Sequence, residues 1–191
     1  MANMSGAQFL AETLNGYGVS HFFFMPVIVP DSMPHLERLG ITRVMTHSEK
    51  PAAYMADAYA RVSRSVGVCG SQSVGAANLA AGLQDAYLAS APVIAITGRL
   101  PQEQQDRNAY QEVDHGNPFS AVTKYSSTVN TTAQLPMFLR QAIREATTGT
   151  PGPVHLDLAG ISGGDVSTKE AELEVVIEDQ FMNLPPFRPE P

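Results

Sequence analysis

The sequence predicts a three-layer α/β/α domain built on an open, mostly parallel sheet of about six strands. Short unbroken apolar runs alternate with longer segments in which apolar residues recur at helical intervals. The runs Phe22-Phe23-Phe24 and Val93-Ile94-Ala95-Ile96 show no polar alternation, as strands covered on both faces require. The 191 residues, 43% hydrophobic and 16% charged, suffice for one substantial core and are too few for two.

Taken in order, Ser5 followed three residues later by Gln8 has capping-box spacing. Phe9, Leu10, Thr13, Leu14 and Tyr17 then continue at helical intervals until Gly16 and Gly18 stop the pattern, which predicts a first helix. His21 to Met25, ended by Pro26, reads as a buried strand. A helix near Asp31 to Leu39, a strand from Ile41 to Thr46 and an Ala-rich helix from Ser48 to Val62 follow. Val66 to Ser71 is the next strand, Gly75 to Ala89 an Ala/Leu helix, and Pro92 to Thr97 a strand. Thr132 to Thr147 reads as a helix closed by Gly149, and Pro153 to Leu158 as a final strand. The stretch Leu100 to Asn117 is polar and too long for a simple connector, so it is expected to cover the strand ends where such folds place ligands. The predicted domain is residues 1–165. Residues 166–191 read as a linker, first acidic and then Pro-rich, with four prolines in the last seven residues.

Composition excludes several classes. No apolar run approaches the roughly 18–20 residues of a membrane span. The single Cys69 precludes an internal disulfide, and the N-terminal residues have neither a basic nor an apolar leader region, so a cytoplasmic protein is expected. Twelve basic against 19 acidic residues give −7, with seven of the acids from Asp165 onward, and the chain has no Trp and no basic stripe. Nucleic-acid binding therefore has no support.

Phosphate-loop, dinucleotide and hydrolase-elbow motifs are all missing from the sequence. The five histidines, His21, His35, His47, His115 and His155, and Cys69 show no metal-ligand spacing, so no protein metal site is expected, and His155 is read as a packed strand residue. One carboxylate stands out. Glu49 follows the strand Ile41 to Thr46 and opens the next helix, at the strand end where ligands gather. The same placement is also what helix-dipole complementarity behind an N-cap Ser48 gives by itself.

The surroundings of Glu49 add to this. Thr46-His47-Ser48-Glu49 and the helix through Arg61 resemble the segment around the activating glutamate of thiamine-diphosphate-dependent enzymes of the acetolactate synthase and pyruvate oxidase type. Gly75-Ala76-Ala77-Asn78-Leu79 and Asp85-Ala86-Tyr87 are similar to that family's G-A-T-N-L and D-A-Y pieces. Pro92 to Gly98 resembles its central strand, Tyr110-Gln111-Glu112-Val113-Asp114 its F-Q-E-V-D segment, and Val122-Thr123-Lys124 its V-T-K segment. Ala146 to Val154 resembles its A-x-x-G-x-P-G-P-V stretch. These ordered matches, over about residues 5–160, point to the family's N-terminal pyrimidine-binding domain and its thiamine-diphosphate-binding fold.

The resemblance implies that Glu49 hydrogen-bonds the aminopyrimidine ring nitrogen of thiamine diphosphate and so activates the cofactor for decarboxylation and carboligation of a 2-oxo acid. A buried, apolar setting for Glu49 would serve that role. It also implies that Pro26, Ser71, Val74 and Asn78 line the pyrimidine pocket and that Gln111 faces the substrate. From the residues alone, Pro26 equally ends a strand, Asn78 caps a helix, and Gln111 is a solvated loop residue. Ser73-Val74-Gly75 stands where many members have Gly-Pro-Gly, Met25-Pro26-Val27-Ile28 where they have an aromatic, Pro and two glycines, and Lys50-Pro51 replaces small or amide residues.

Family members bind the diphosphate through Mg²⁺ and a G-D-G…N-N motif in a C-terminal domain, and Gly163-Gly164-Asp165 lacks that pattern. The expected partner is therefore a diphosphate-binding domain, in the same protein or in a partner subunit. FAD, whose site would belong to the middle domain, is left open. Homo-oligomerisation is expected through the Ala-rich helices Ser48 to Val62 and Gly75 to Ala89. The alternative is a stand-alone, non-catalytic or partner-dependent subunit of a split decarboxylase, acting as a dimerisation or binding module.

Overall fold

A computed structural model describes residues 1–182 and 184. The strands are β1 (Ala2–Ser5), β2 (His21–Phe24), β3 (Thr42–Met45), β4 (Gly67–Gln72), β5 (Val93–Arg99), β6 (Tyr125–Val129), β7 (Val154–Ala159) and β8 (Glu170–Leu173). The helices are α1 (Gly6–Gly16), α2 (Met33–Arg38), α3 (Glu49–Ser63), α4 (Gly75–Leu88), α5 (Gly116–Ser120), α6 (Leu135–Thr147) and α7 (Gly164–Ser167). Six strands form one sheet in the order β3-β2-β4-β5-β7-β6, every neighbouring pair parallel, with helices on both faces. The predicted three-layer α/β/α class is the observed one.

Successive strand residues point to opposite faces, so each apolar strand feeds two cores. Phe22, Val68, Ile94, Ile96 and Leu156 pack with Leu10 and Leu14 of α1, Leu36 of α2, and Leu139 and Ile143 of α6. Phe23, Cys69, Val93 and Ala95 point the other way, toward α3, α4 and Phe119. The second core is built mainly from alanine: Ala52, Ala53, Ala56, Ala60, Ala76, Ala80 and Ala86 are all buried there. Alanine on both helices lets their backbones come close. At the tightest point is Gly82, where an added Cβ would lie 2.7 Å from Ala53 Cβ and 2.8 Å from the Lys50 carbonyl oxygen. Gly67 likewise opens β4 against the Ala56 carbonyl. Most of the alanines on the helices predicted as a self-association surface are thus spent inside the chain, while Ala58, Ala77 and Ala81 stay exposed. The large apolar side chains that α3 and α4 leave exposed are Tyr54, Met55, Val62, Tyr87 and Leu88.

Three elements differ from the sequence reading. The edge strand β6, Tyr125-Ser126-Ser127-Thr128-Val129, pairs only with β7, and its run of hydroxyl residues gave no strand signal. Of the expected capping box at Ser5, half forms: the Gln8 amide donates to Ser5 Oγ at 3.2 Å, while the Gln8 side chain turns to Glu12. The acidic stretch predicted as an extended spacer from residue 166 is instead packed. Here β8 pairs antiparallel with β1, Leu173 is buried, and Ile177 lies against Gly16. Arg144 holds Glu178 through two hydrogen bonds of 2.9 and 2.6 Å. Apolar Ala171, Leu173, Val175 and Ile177 alternate with the acids, so the segment buries one face while its charges stay in water. The Pro-rich part of the predicted linker, residues 185–191, lies outside the described residues.

Because α3 and α4 meet over Gly82, Gly82→Ala is expected to destabilise the chain by about 1–3 kcal/mol, read as a lower midpoint of urea unfolding at an unchanged slope.

Candidate functional site

In the sheet, β2 has β3 on one side and β4 on the other, which makes its carboxyl end a topological switch point, the place where open parallel sheets leave a crevice. The chain segments that leave these strands supply the crevice walls. A cleft of about 400 Å³ is lined by Pro26 after β2, Glu49 after β3, Gln72 at the end of β4, Val74 and Gly75 after it, and Tyr110 and Gln111 from the loop after β5. Of the residues predicted for the site, Glu49, Pro26, Val74 and Gln111 therefore share one cleft.

Glu49 is aimed there by Thr46. Its amide and hydroxyl both donate to the Phe24 carbonyl, at 2.9 and 3.1 Å, and the hydroxyl also lies 2.7 Å from the Ser48 carbonyl. These bonds tie the end of β3 to the end of β2 and fix the first turn of α3. Ser48 occupies the N-cap position but makes no side-chain capping bond. The Glu49 carboxylate accepts from Asn78 Nδ2 at 3.2 Å and lies against Gly75, where an added Cβ would come within 2.5 Å of Oε1. Asn78 sits inside α4, not at its end, so it caps nothing and instead holds Glu49. Glu49 is half-buried and open to the cleft, a wetter setting than the buried one anticipated. Ser71 is fully covered in β4, its hydroxyl has no hydrogen-bond partner among the described residues, and it is not a lining residue.

The loop after β5 is held by its own carboxylate. Glu112 accepts the amides of Asp106 and Ala109, and these backbone bonds keep its carboxyl below the ordinary range. Gln111 adopts φ +66°, its carbonyl accepts the Ser73 hydroxyl, and its side-chain amide donates to the Tyr110 hydroxyl at 3.2 Å. The polar stretch does cover the strand ends.

Behind the cleft lies a buried polar chain that the sequence reading missed. Ser126 Oγ meets His155 Nδ1 at 2.8 Å and Thr97 Oγ1 meets His155 Nε2 at 2.7 Å. Thr97 donates to Asp157 Oδ1 at 2.7 Å, and His115 bridges Asp157, at 3.0 Å, to the Ser73 carbonyl, at 2.9 Å. A carbonyl only accepts, so His115 Nε2 donates to Ser73. Burial pushes His155, stacked 3.6 Å from Phe119, down to about 3, which keeps it neutral. Burial pushes the Asp157 carboxyl up, but bonds from His115 and Thr97 and the nearby imidazoles outweigh it and hold the group below its ordinary value. His115, His155 and Asp157 offer ligand atoms within 4.8 Å of one another, contrary to the absence of metal spacing in the sequence. The Thr97 hydroxyl stands between them, and each of these atoms already has a hydrogen-bond partner. Residues from β5, β7 and the intervening loop, far apart in sequence, gave no signal of this convergence.

No described helix is long and apolar enough to cross a membrane. Residues 4–117 match the family described as thiamine pyrophosphate enzyme, N-terminal TPP binding domain. The chain is 35% identical to a probable acetolactate synthase large subunit of Methanocaldococcus jannaschii, over 97% of this chain and 31% of that protein. It is 35% identical to the acetolactate synthase large subunit of Lactococcus lactis, over 96% of this chain and 31% of that protein. With the acetolactate synthase isozyme 2 large subunit of Escherichia coli it shares 37% identity, over 81% of this chain and 29% of that protein. The chain thus spans less than a third of the length of these relatives.

The buried histidine carries a pH signature. Unfolded His155 takes a proton near pH 6.5 and the folded residue only near pH 3, so between these values the unfolded chain binds more protons and stability rises with pH. Asp157, held low, acts in the same direction: its contribution is present above the unfolded carboxyl value and lost as pH falls through the folded one. Urea midpoints measured from pH 7 to pH 4 should fall with acid, and His155→Gln should flatten that slope by about one proton.

Proposed function

This chain belongs to the thiamine pyrophosphate enzymes, through their N-terminal TPP binding domain, and on that premise we propose that it supplies the pyrimidine-side half of the cofactor site in an enzyme of the acetolactate synthase type acting on 2-oxo acids. The observation that carries the reading is the placement of Glu49, alone among the cleft's lining residues in bearing a carboxyl group, at the switch point of the sheet.

The cleft fits the pyrimidine end of thiamine diphosphate and not the diphosphate end. Pro26 and Val74 offer apolar walls of the kind a flat heteroaromatic ring requires, and the Glu49 carboxyl is the group that can exchange a proton with a ring nitrogen. Among the described residues no Lys or Arg lines the cleft, so the diphosphate charge and its Mg²⁺ call for another domain. When bound, thiamine diphosphate supplies the electron sink that stabilises the carbanion left when a 2-oxo acid loses its carboxylate.

The protein groups then have separate duties. Asn78 keeps the Glu49 carboxylate oriented, Gly75 leaves room for it, and Glu49 holds or releases the proton at the pyrimidine nitrogen. Gln111 lines the same cleft with its backbone anchored by Ser73, which supports a role facing substrate. The rim supports a covering partner: Val27, Met45, Val74 and Tyr110 are exposed apolar side chains near the half-buried carboxylate. A diphosphate-binding domain seated there, in the same protein or a second copy in a homodimer, would exclude water and give Glu49 the drier setting its chemistry favours.

In the complete enzyme, Glu49→Gln is expected to lower turnover by about 10²–10⁴-fold with the unfolding midpoint unchanged. Steady-state kinetics on acetolactate formation from pyruvate, beside a urea titration, measure both; near-normal turnover would refute the assignment.

A further inference from the structure

The turn that carries Val74 and Gly75 into the cleft pivots on Ser73, a non-glycine residue at φ +35° that is almost completely buried. A left-handed serine with no exposure persists only if its surroundings fix it. Its amide donates to the Gly98 carbonyl at 2.8 Å, its hydroxyl donates to the Gln111 carbonyl, and its own carbonyl accepts the Ala76 amide at 2.8 Å and His115 Nε2 at 2.9 Å. Of these partners, only His115 reaches the turn with a side chain. That side chain is braced from the other nitrogen by Asp157 of β7, itself held by Thr97 of the central strand β5.

We infer that His115 is the positioning residue of the cleft: through the Ser73 carbonyl it locks the turn Ser73-Val74-Gly75 against Glu49, and through the Ser73 hydroxyl it also sets the Gln111 loop. The path runs from Thr97 of β5, through Asp157 and His115, to one serine that serves both walls of the cleft. Glu49 lies directly against Gly75, so a displaced turn moves the surface on which the carboxylate rests. His115 lines a separate, smaller cleft of about 260 Å³ and is not among the residues that line the Glu49 cleft, so it acts through the turn and not by touching a ligand. As applied to cofactor affinity, this inference rests on the function proposed above; the lock itself does not.

The test is hydrogen–deuterium exchange with mass spectrometry on the complete polypeptide that carries this sequence, paired with thiamine diphosphate titration in the presence of Mg²⁺. In His115→Phe, amides of residues 73–76 and 109–112 should exchange about tenfold faster or more, while β4, β5 and β7 keep their protection. Cofactor affinity should fall about tenfold, with turnover at saturating cofactor within about threefold of the parent. Asp157→Asn leaves His115 an N–H to give Ser73, so the turn should stay protected in that variant. If the uncompensated Asp157 prevents His115→Phe from folding, the double variant His115→Phe/Asp157→Asn removes that charge and should show the same local exchange. Unchanged exchange at the turn overturns the lock, and so does exchange that rises evenly through the sheet. Faster exchange at the turn with undiminished cofactor affinity overturns the positioning role. A parent polypeptide that binds no thiamine diphosphate defeats the functional reading instead, and the lock is then decided by exchange alone.

Discussion

The near-contact of α3 and α4 is the constraint from which the rest follows. Two helices whose facing residues are alanine and glycine approach until Gly82 touches Ala53 and the Lys50 carbonyl. That proximity also brings the first turns of both helices together, so that the Glu49 carboxylate lies on Gly75 and within reach of Asn78. Larger side chains between the helices would fill the core equally well and separate Glu49 from the turn after β4. Packing density here sets site geometry, because close-packed interiors transmit a change of one methyl group.

The opposite face of the sheet has the usual large side chains, Phe, Leu and Ile, and carries the stabilising bulk. The asymmetry divides the labour: one core supplies hydrophobic burial, the other places polar groups at the strand ends. The cleft that results is, on the proposed reading, half a site. Among the described residues it has apolar walls and one carboxyl group, opens toward an exposed apolar rim, and offers no cation for a phosphate. The polar chain from Ser126 to Ser73 supports it from behind, and with His155 kept neutral and Asp157 kept ionised it adds a fixed set of hydrogen bonds at neutral pH.

Much of this was legible in the sequence because it is local. Unbroken apolar strands, Ala-rich helices and Glu49 at a strand-to-helix junction are each written in consecutive residues, and the ordered motifs placed Pro26, Val74 and Gln111 in one neighbourhood. The elements that escaped depend on partners. The strand Tyr125–Val129 is an edge strand rich in hydroxyl residues, and Glu170–Leu173 looks acidic until its alternating apolar residues find β1. Ser71 was placed in the pocket by its position in a motif, but a strand alternates faces, and one residue's difference decides between wall and core. His115, Asp157 and Thr97 come from three separate segments, so only the folded sheet could reveal that they meet behind Ser73.

The central claim is that Glu49 faces the pyrimidine of thiamine diphosphate from this cleft. A crystal structure of the complete polypeptide with the cofactor bound tests it most directly. The account predicts a Glu49 carboxylate oxygen within about 2.6–3.2 Å of a pyrimidine ring nitrogen, with the ring between Pro26 and Val74. A ring bound elsewhere, or a Glu49 carboxylate turned away from it, would contradict the account.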